Sequence, residues 1–211
     1  MSALCESDRL AALGEAAGFD LTSDQIAQIQ TYLGLLARWN ATVNLTALPL
    51  SGFPQASLDR LVGESLTCAS LLGDESRLPA EWFDLGSGGG SPAIPLKIVR
   101  PTIPLTMVEA RSRKTAFLRE AIRSLSLEHA RVLNTRVQDL EGTVTGGRVD
   151  LISFRGLRLD ADLAKCLRYL AIPGARVALF GDVPWGLIRG DFEADRHQGE
   201  VTLLRRCECS T

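Results

Sequence analysis

The residues whose types and spacing suggest chemistry are two carboxylates and a run of glycines: Asp84, then Gly86, Gly88, Gly89 and Gly90, and further on Glu109. Glycine at four of five positions lets a backbone take positive φ and lets a ligand lie against bare peptide groups. Trp82, Phe83 and Leu85 before the run are apolar, and Pro92 to Leu96 after it are apolar with proline placed for a first helical turn. The order therefore reads strand, tight turn, helix, and it aims the unpaired N–H groups of a helix start at whatever the loop holds. An acid at the end of such a strand, as Asp84 is, would repel a pyrophosphate but could pair with an ammonium group. Glu109, at the end of the next strand, can accept hydrogens from both hydroxyls of a ribose. An adenosyl ligand fits both, and S-adenosylmethionine has the ammonium and no phosphate. A dinucleotide is the competing reading, but Ser91 stands where the third glycine of G-x-G-x-x-G belongs. Each acid also has a plainer use, Asp84 as the cap of its own turn and Glu109 as a surface partner of Arg111 or Arg113.

These residues need a scaffold, and the chain supplies two kinds of periodicity. In the first 75 residues the pattern is helical. Ser7 to Ala17 places Leu10, Leu13 and Ala17 on one face. Thr22-Ser23-Asp24-Gln25 has the spacing of a capping box, followed by Ile26, Ile29, Leu33 and Leu36 to about Trp39, and a third helix runs from about Gln55 to Leu72. Asn40 to Thr46 is polar and breaks the second helix, and Pro49, Gly52 and Pro54 keep the next stretch irregular. From Glu81 onward short apolar runs alternate with amphipathic ones. Strands are expected at Glu81–Leu85, Pro104–Val108, Ala130–Leu133, Val149–Ser153, Ala175–Phe180 and Val201–Leu204, with helices at Pro92–Val99, Ser112–Leu125 and Asp160–Leu170. This alternation predicts an α/β, doubly wound, mostly parallel sheet at 76–211 with an N-terminal helical cap at 1–75. In such a sheet ligands bind beyond the carboxyl ends of the strands, where the glycine loop lies.

Composition narrows the class. With 211 residues and 45% hydrophobic content the chain can bury a real core. No apolar run reaches the roughly 20 residues of a membrane span, and the first residues lack a signal-peptide profile, so a cytoplasmic protein is expected. Five scattered cysteines, Cys5, Cys68, Cys166, Cys207 and Cys209, suggest buried small hydrophobes in a reducing compartment rather than a disulfide framework. Their spacing offers no metal site, and His129 and His197 read as structural or exposed. The net charge of −2 does not require a nucleic-acid partner, so any such contact must come from local clusters. One cluster is available: Phe117, Leu118, Ala121, Ile122 and Leu125 form a buried stripe that leaves Arg119 and Arg123 outward, with Arg113 and Lys114 at the helix start.

Four segments together carry a more specific signal. Asp84-Leu-Gly-Ser-Gly-x-Gly-x-Pro-x-Ile-Pro-Leu, then Val108-Glu109 and Arg113-Lys114-x-x-Phe117-Leu118-Arg119, resemble the glucose-inhibited-division B family, and Trp39-Asn40-x-x-x-Asn44-Leu45-Thr46 is similar to its W-N-x-x-x-N-L-T signature. The likeness runs from about Leu21 to Phe180. It implies a Rossmann-like class I methyltransferase that uses S-adenosylmethionine to modify N7 of a guanine in 16S ribosomal RNA of the small subunit. It also implies that Gly86, Gly88 and Ser91 form the cofactor turn, that Glu109 is the ribose acid, that Val137 and Gln138 flank the adenine, and that Arg155 positions substrate or cofactor. Three places depart from the family pattern: Gln138 replaces an acid, Leu61 a histidine, and Phe180-Gly181-Asp182 replaces the Lys-Gly after the fifth strand, exchanging a positive charge for an acid.

Guanine N7 has a lone pair and no proton, so methyl transfer to it needs alignment rather than a general base, in keeping with the scarcity of histidine. Arg38, Arg60 and Arg155 would extend the Arg113, Lys114, Arg119 and Arg123 cluster into a basic track for a flipped or unpaired base. A monomer without metal is expected. Two further classes stay open: an S-adenosylmethionine-binding homologue that has lost or changed its RNA substrate, and a nicotinamide-dependent oxidoreductase.

Overall fold

The computed structural model describes residues 3–74 and 78–208. The expected junction at 75/76 lies outside the described residues, as does Cys209. Strands β1 (Trp82–Leu85), β2 (Leu105–Val108), β3 (Ala130–Leu133), β4 (Val149–Phe154), β5 (Ala171–Phe180), β6 (Phe192–Gln198) and β7 (Val201–Arg206) form one sheet in the order β3-β2-β1-β4-β5-β7-β6. The first five strands are parallel, β7 runs antiparallel to β5, and β6 antiparallel to β7. Strand order reverses beside β1, whose four residues are all buried because helices cover both faces.

Register aligns the functional positions. Leu85 pairs with Val108 on one side and Phe154 on the other, and Val108 pairs with Leu133. The next residue of each strand, Gly86, Glu109, Arg155 and Asn134, therefore leaves the carboxyl edge at one level.

Helices α1 (Ala3–Ala16), α2 (Ser23–Val43), α3 (Gln55–Leu58) and α4 (Glu64–Leu71) precede the sheet, and α5 (Ala93–Val99), α6 (Ser112–Ser124) and α7 (Ala161–Leu170) connect its strands. One apolar cluster joins Ile29, Leu33, Leu36 and Leu66 of the first helices to α5, α6 and the Trp82, Leu105 and Met107 side of the sheet, while a second packs α7 against the opposite face. The helical segment thus shares its core with the sheet. Trp39 of α2 meets Phe117 of α6 edge to face at 5.9 Å.

Four features depart from expectation. Between α3 and α4 lies a π-helical turn, Asp59–Gly63, inside what reads as one helix. Helix α2 continues past Trp39 to Val43, because Asn40 does not break it. Instead Asn40 Oδ1 accepts the N–H groups of Leu45 (2.6 Å) and Thr46 (2.9 Å), and Asn44 takes the left-handed conformation that ends the helix. Strand β5 begins at Ala171, its Pro173 and Gly174 absorbed by a register shift. Strand β6 escaped notice because only Phe192 of its seven residues is buried, so it carries no apolar alternation, and His197 lies in it, exposed and bonded to Thr202 Oγ1. Cys68 and Cys166 are buried, and burial pushes both thiols up to about 12, which keeps them unreactive.

Replacing Asn40 with Ala strands two N–H groups at the end of α2, so the unfolding free energy should fall by about 1–3 kcal/mol. Urea denaturation checks this through a lower midpoint at unchanged slope.

Candidate functional site

The loop after β1 is fixed by its own backbone. Gly86 and Ser87 donate their N–H groups to the Val108 carbonyl at 2.8 and 3.0 Å, Ser87 Oγ donates to the Asp84 carbonyl, and Gly90 N–H closes on Ser87 O at 2.7 Å. Gly90 has φ +82°, and a Cβ there would lie 2.4 Å from Ile94 Cδ1, so any side chain at this position strains the backbone and requires Ile94 to shift. The helix start contributes less than its sequence suggests: Pro92 has no N–H, and Ile94 N–H is taken by Gly90 O at 2.6 Å.

Two side chains grip this loop from opposite sides. From α2, the buried Tyr32 hydroxyl donates to Gly89 O at 2.8 Å, and burial raises its phenol pKa so that it stays a neutral donor. From the end of β2, Glu109 Oε2 accepts Gly88 N–H at 2.9 Å and Oε1 accepts Arg111 N–H at 2.8 Å. Glu109 is therefore not the surface partner of an arginine side chain. Each of its oxygens keeps a second lone pair for a ligand hydroxyl.

Above the loop opens a cavity of about 560 Å³. Gly86, Gly88, Ser91, Glu109, Val137, Gln138 and Arg155, all read from the sequence, lie on its wall, with Leu36, Leu45, Thr46 and Leu61 supplied by the helical segment. Asp84 is the exception. Its carboxylate is buried under the loop, where Oδ1 accepts the Ser153 hydroxyl at 2.6 Å and Ser153 Oγ in turn accepts Trp82 Nε1–H at 2.8 Å. Direct pairing with a ligand ammonium, expected from the sequence, is not offered by this placement; Asp84 can act on the cavity only through its field. Burial raises its pKa to about 6, against the opposing pull of the Ser153 hydrogen bond and the Arg155 charge.

Arg155 is no solvated loop residue. Its Nη1 donates to Glu64 Oε2 at 2.9 Å and to the Arg60 carbonyl, and its Nη2 reaches Ser91 O at 3.3 Å, while Ser91 Oγ donates to Leu61 O at 2.7 Å. The π-helical turn thus meets the glycine loop through Arg155 and Ser91.

Of the expected basic track, Lys114 lies on the cavity wall, and Arg38, Arg113 and Arg119 are exposed. Three members are otherwise engaged: Arg155 as above, Arg60 with Glu64, and Arg123 with Glu120 of its own helix. Arg111, Arg136 and Arg158 line the cavity and were not read as substrate contacts. They sit in loops after β2, β3 and β4, where no helical periodicity marks them; their positions just past strand ends were the available signal. Tyr32 was missed because a core position on an amphipathic helix masks the use of its hydroxyl. Neither His129 nor His197 lines the cavity, and no cluster of His, Cys, Asp and Glu among the described residues is arranged to hold a metal ion.

The family described as rRNA small subunit methyltransferase G (GidB) matches residues 25–183. The chain belongs to this family. The ribosomal RNA small subunit methyltransferase G of Paracoccus denitrificans is 41% identical over 119 residues, 56% of this chain and 58% of that protein, so this match spans less than two thirds of the relative's length. The protein of the same name from Neisseria meningitidis serogroup A is 29% identical over 202 residues, 96% of this chain and 86% of the relative. A SAM dependent methyltransferase structure from Aquifex aeolicus superposes with a TM-score of 0.53 at 18% identity, over 71% of this chain and 90% of that one, and shows the shared Rossmann-like fold. Within the small subunit methyltransferase G family pattern, the W-N-x-x-x-N-L-T signature has a clear structural use here: Trp39 packs on Phe117, Asn40 and Asn44 end α2, and Leu45 and Thr46 are laid against the cavity.

An aspartate whose folded-state pKa is about 6 rather than the usual 3.8 holds its proton in the folded chain and loses it in the unfolded one across that interval. Its contribution to stability is therefore lost as pH rises from about 4 to about 6. Asp84→Asn removes the titration and the buried charge while keeping an acceptor for Ser153, so it should stabilise the fold at neutral pH by on the order of 1–3 kcal/mol and flatten that pH slope. Urea denaturation of both proteins across the interval measures it, and equal slopes would contradict the assignment.

Proposed function

We propose that this protein binds S-adenosylmethionine over the glycine loop and methylates N7 of a guanine in 16S ribosomal RNA of the small subunit. The supporting observation is convergence: residues from the ends of β1, β2, β3 and β4, separated by up to 69 positions in sequence (155 − 86), line one cavity around a carboxylate with free lone pairs.

Glu109 accepts the ribose hydroxyls. Gln138 offers an amide that can donate to and accept from an adenine edge, and Val137 an apolar face. Gly86 and Gly88 let the ligand approach the backbone, and Asp84 beneath them biases the cavity toward a cationic ligand and against a pyrophosphate, which argues against a nicotinamide cofactor. The bound cofactor supplies an electrophilic methyl group on a sulfonium, and a guanine N7 lone pair accepts it without loss of a proton. The residues that remain to be assigned therefore orient rather than titrate: Arg155, held by Glu64, Arg60 and Ser91, fixes the wall between loop and helical segment. Arg111, Lys114, Arg136 and Arg158 around the cavity supply positive charge for phosphates, extended by the exposed Arg38, Arg113 and Arg119.

We read the protein as a cytoplasmic monomer. The described thiols Cys68, Cys166 and Cys207 are free, no described helix is long and apolar enough to cross a membrane, and Leu187 is the large apolar side chain left exposed among the described residues. A second reading, a cofactor-binding homologue without this RNA activity, is favoured by Leu61 on the cavity wall where the family pattern has histidine.

Calorimetry with S-adenosylmethionine followed by transfer of labelled methyl to unmodified small subunits tests both. The proposal expects binding and transfer; binding without transfer supports the second reading, and absence of binding contradicts both. Glu109→Gln should weaken cofactor binding by about tenfold or more, equivalent to about 1.4 kcal/mol, with transfer reduced through KM for the cofactor.

A further inference from the structure

Beside the cofactor cavity, on the β4–β5 side of the sheet, lies a second hollow of about 520 Å³. Leu157 and Arg158, in the loop after β4, line both, so the two hollows adjoin at these side chains. The far wall is the loop after β5, where Asp182 supplies a carboxylate and Val183, Pro184 and Leu187 an apolar surface. Leu187 is 55% exposed and gives this wall an open apolar surface.

The loop that carries Leu187 is braced from behind. Arg168 of α7 donates to Leu187 O at 2.9 Å and pairs with Asp191 at 2.7 Å, Ile188 is fully buried and bonds back to Trp185 O, and the Arg189 guanidinium stacks 5.2 Å from the Trp185 ring. The exposed leucine is thus presented on a fixed turn.

Resting on the reading of the cavity as a methyl-donor site for guanine N7, we propose that this hollow seats the target base and that Asp182 recognises it as guanine. Guanine carries N7 and O6 on one edge and its N1–H and N2–H₂ donors on the opposite side. With N7 turned across the Leu157–Arg158 divide toward the cofactor cavity, the donors face the far wall. The carboxylate on that wall is Asp182, and an ionised carboxylate, which only accepts, can take both donors at once. Arg158, the cation of the hollow, stands on the N7 side and can donate to O6. Leu187 and Pro184 cover the apolar ring faces. Adenine would turn an N1 lone pair toward the carboxylate and offer no 2-amino group, which leaves a desolvated acceptor unpaired. Where the family pattern carries Lys-Gly this chain has Phe180-Gly181-Asp182, and the acid that reads as a loss of positive charge gains a specific use.

The test is calorimetric titration of GMP, IMP and AMP into the full chain saturated with S-adenosylhomocysteine, and into the chain alone, for the wild type and for Asp182→Asn and Asp182→Glu. Thermal melting confirms that the exposed substitutions leave the fold intact. GMP should bind about tenfold or more tightly than AMP, with IMP, which lacks the 2-amino group, between them. Asp182→Asn should bring GMP to the level of AMP, Asp182→Glu should recover part of the preference, and S-adenosylhomocysteine affinity should stay unchanged in both. On unmodified small subunits, kcat/KM should fall by about a hundredfold in Asp182→Asn. Equal affinity for GMP and AMP, no GMP binding, or a preference that survives Asp182→Asn overturns the inference. Failure of S-adenosylhomocysteine to bind would instead count against the methyl-donor reading, and the guanine preference is scored separately on the chain alone.

Discussion

The site depends on holding Ser87–Gly90 in a conformation that bare peptide does not keep by itself. Besides the backbone bond of Ser87 to Val108, two side-chain hydrogen bonds do this: Tyr32 to the Gly89 carbonyl and Gly88 N–H to Glu109. Each comes from a different layer of the fold. Tyr32 reaches the loop only because the α2 stripe of Ile29, Leu33 and Leu36 packs into the same apolar cluster as α5 and α6, and Glu109 is in place because β2 pairs in parallel register with β1. The helical segment is therefore a wall of the cavity as well as a packing partner, and the turn set by Asn40 and Asn44 delivers Leu45 and Thr46 to that wall.

Charge is sorted by depth. Asp84 lies beneath the loop, stabilised by Ser153 and indirectly by Trp82, and keeps a negative potential under the cavity floor at a cost in folding stability that burial imposes. At cavity level Glu109 and Asp160 face Arg111, Lys114, Arg136, Arg155 and Arg158. A ligand with a cationic centre is favoured deep in the site and a polyanion at its mouth, and the chain's near-neutral total charge conceals this separation.

Much of this was legible in the sequence, for identifiable reasons. Parallel strands buried on both faces leave continuous apolar runs, so β1, β2 and β4 could be read nearly to the residue, and the glycine loop could be read because positive-φ positions such as Gly90 favour glycine. Strand β6 was illegible because an edge strand with one buried residue has no pattern to display. The π-helical turn was hidden because Leu58, Leu61, Val62 and Leu66 satisfy an ordinary helical stripe as well. The cavity arginines were hidden because their common feature, the carboxyl edge of successive strands, exists only after the sheet has formed. Asp84 shows the opposite limit: its residue type and position were read correctly, but whether its carboxylate faced the cavity depended on Ser153, a partner 69 positions away (153 − 84).

The central claim is that the methyl donor lies against the backbone between β1 and β2. Amide chemical-shift mapping of the labelled protein during titration with S-adenosylmethionine tests it most directly. The account predicts that Gly86, Ser87, Gly88, Glu109, Arg111, Val137 and Gln138 shift together while the β6–β7 hairpin stays still. Shifts confined to another surface, or a response of these amides to a nicotinamide dinucleotide and not to S-adenosylmethionine, would contradict it.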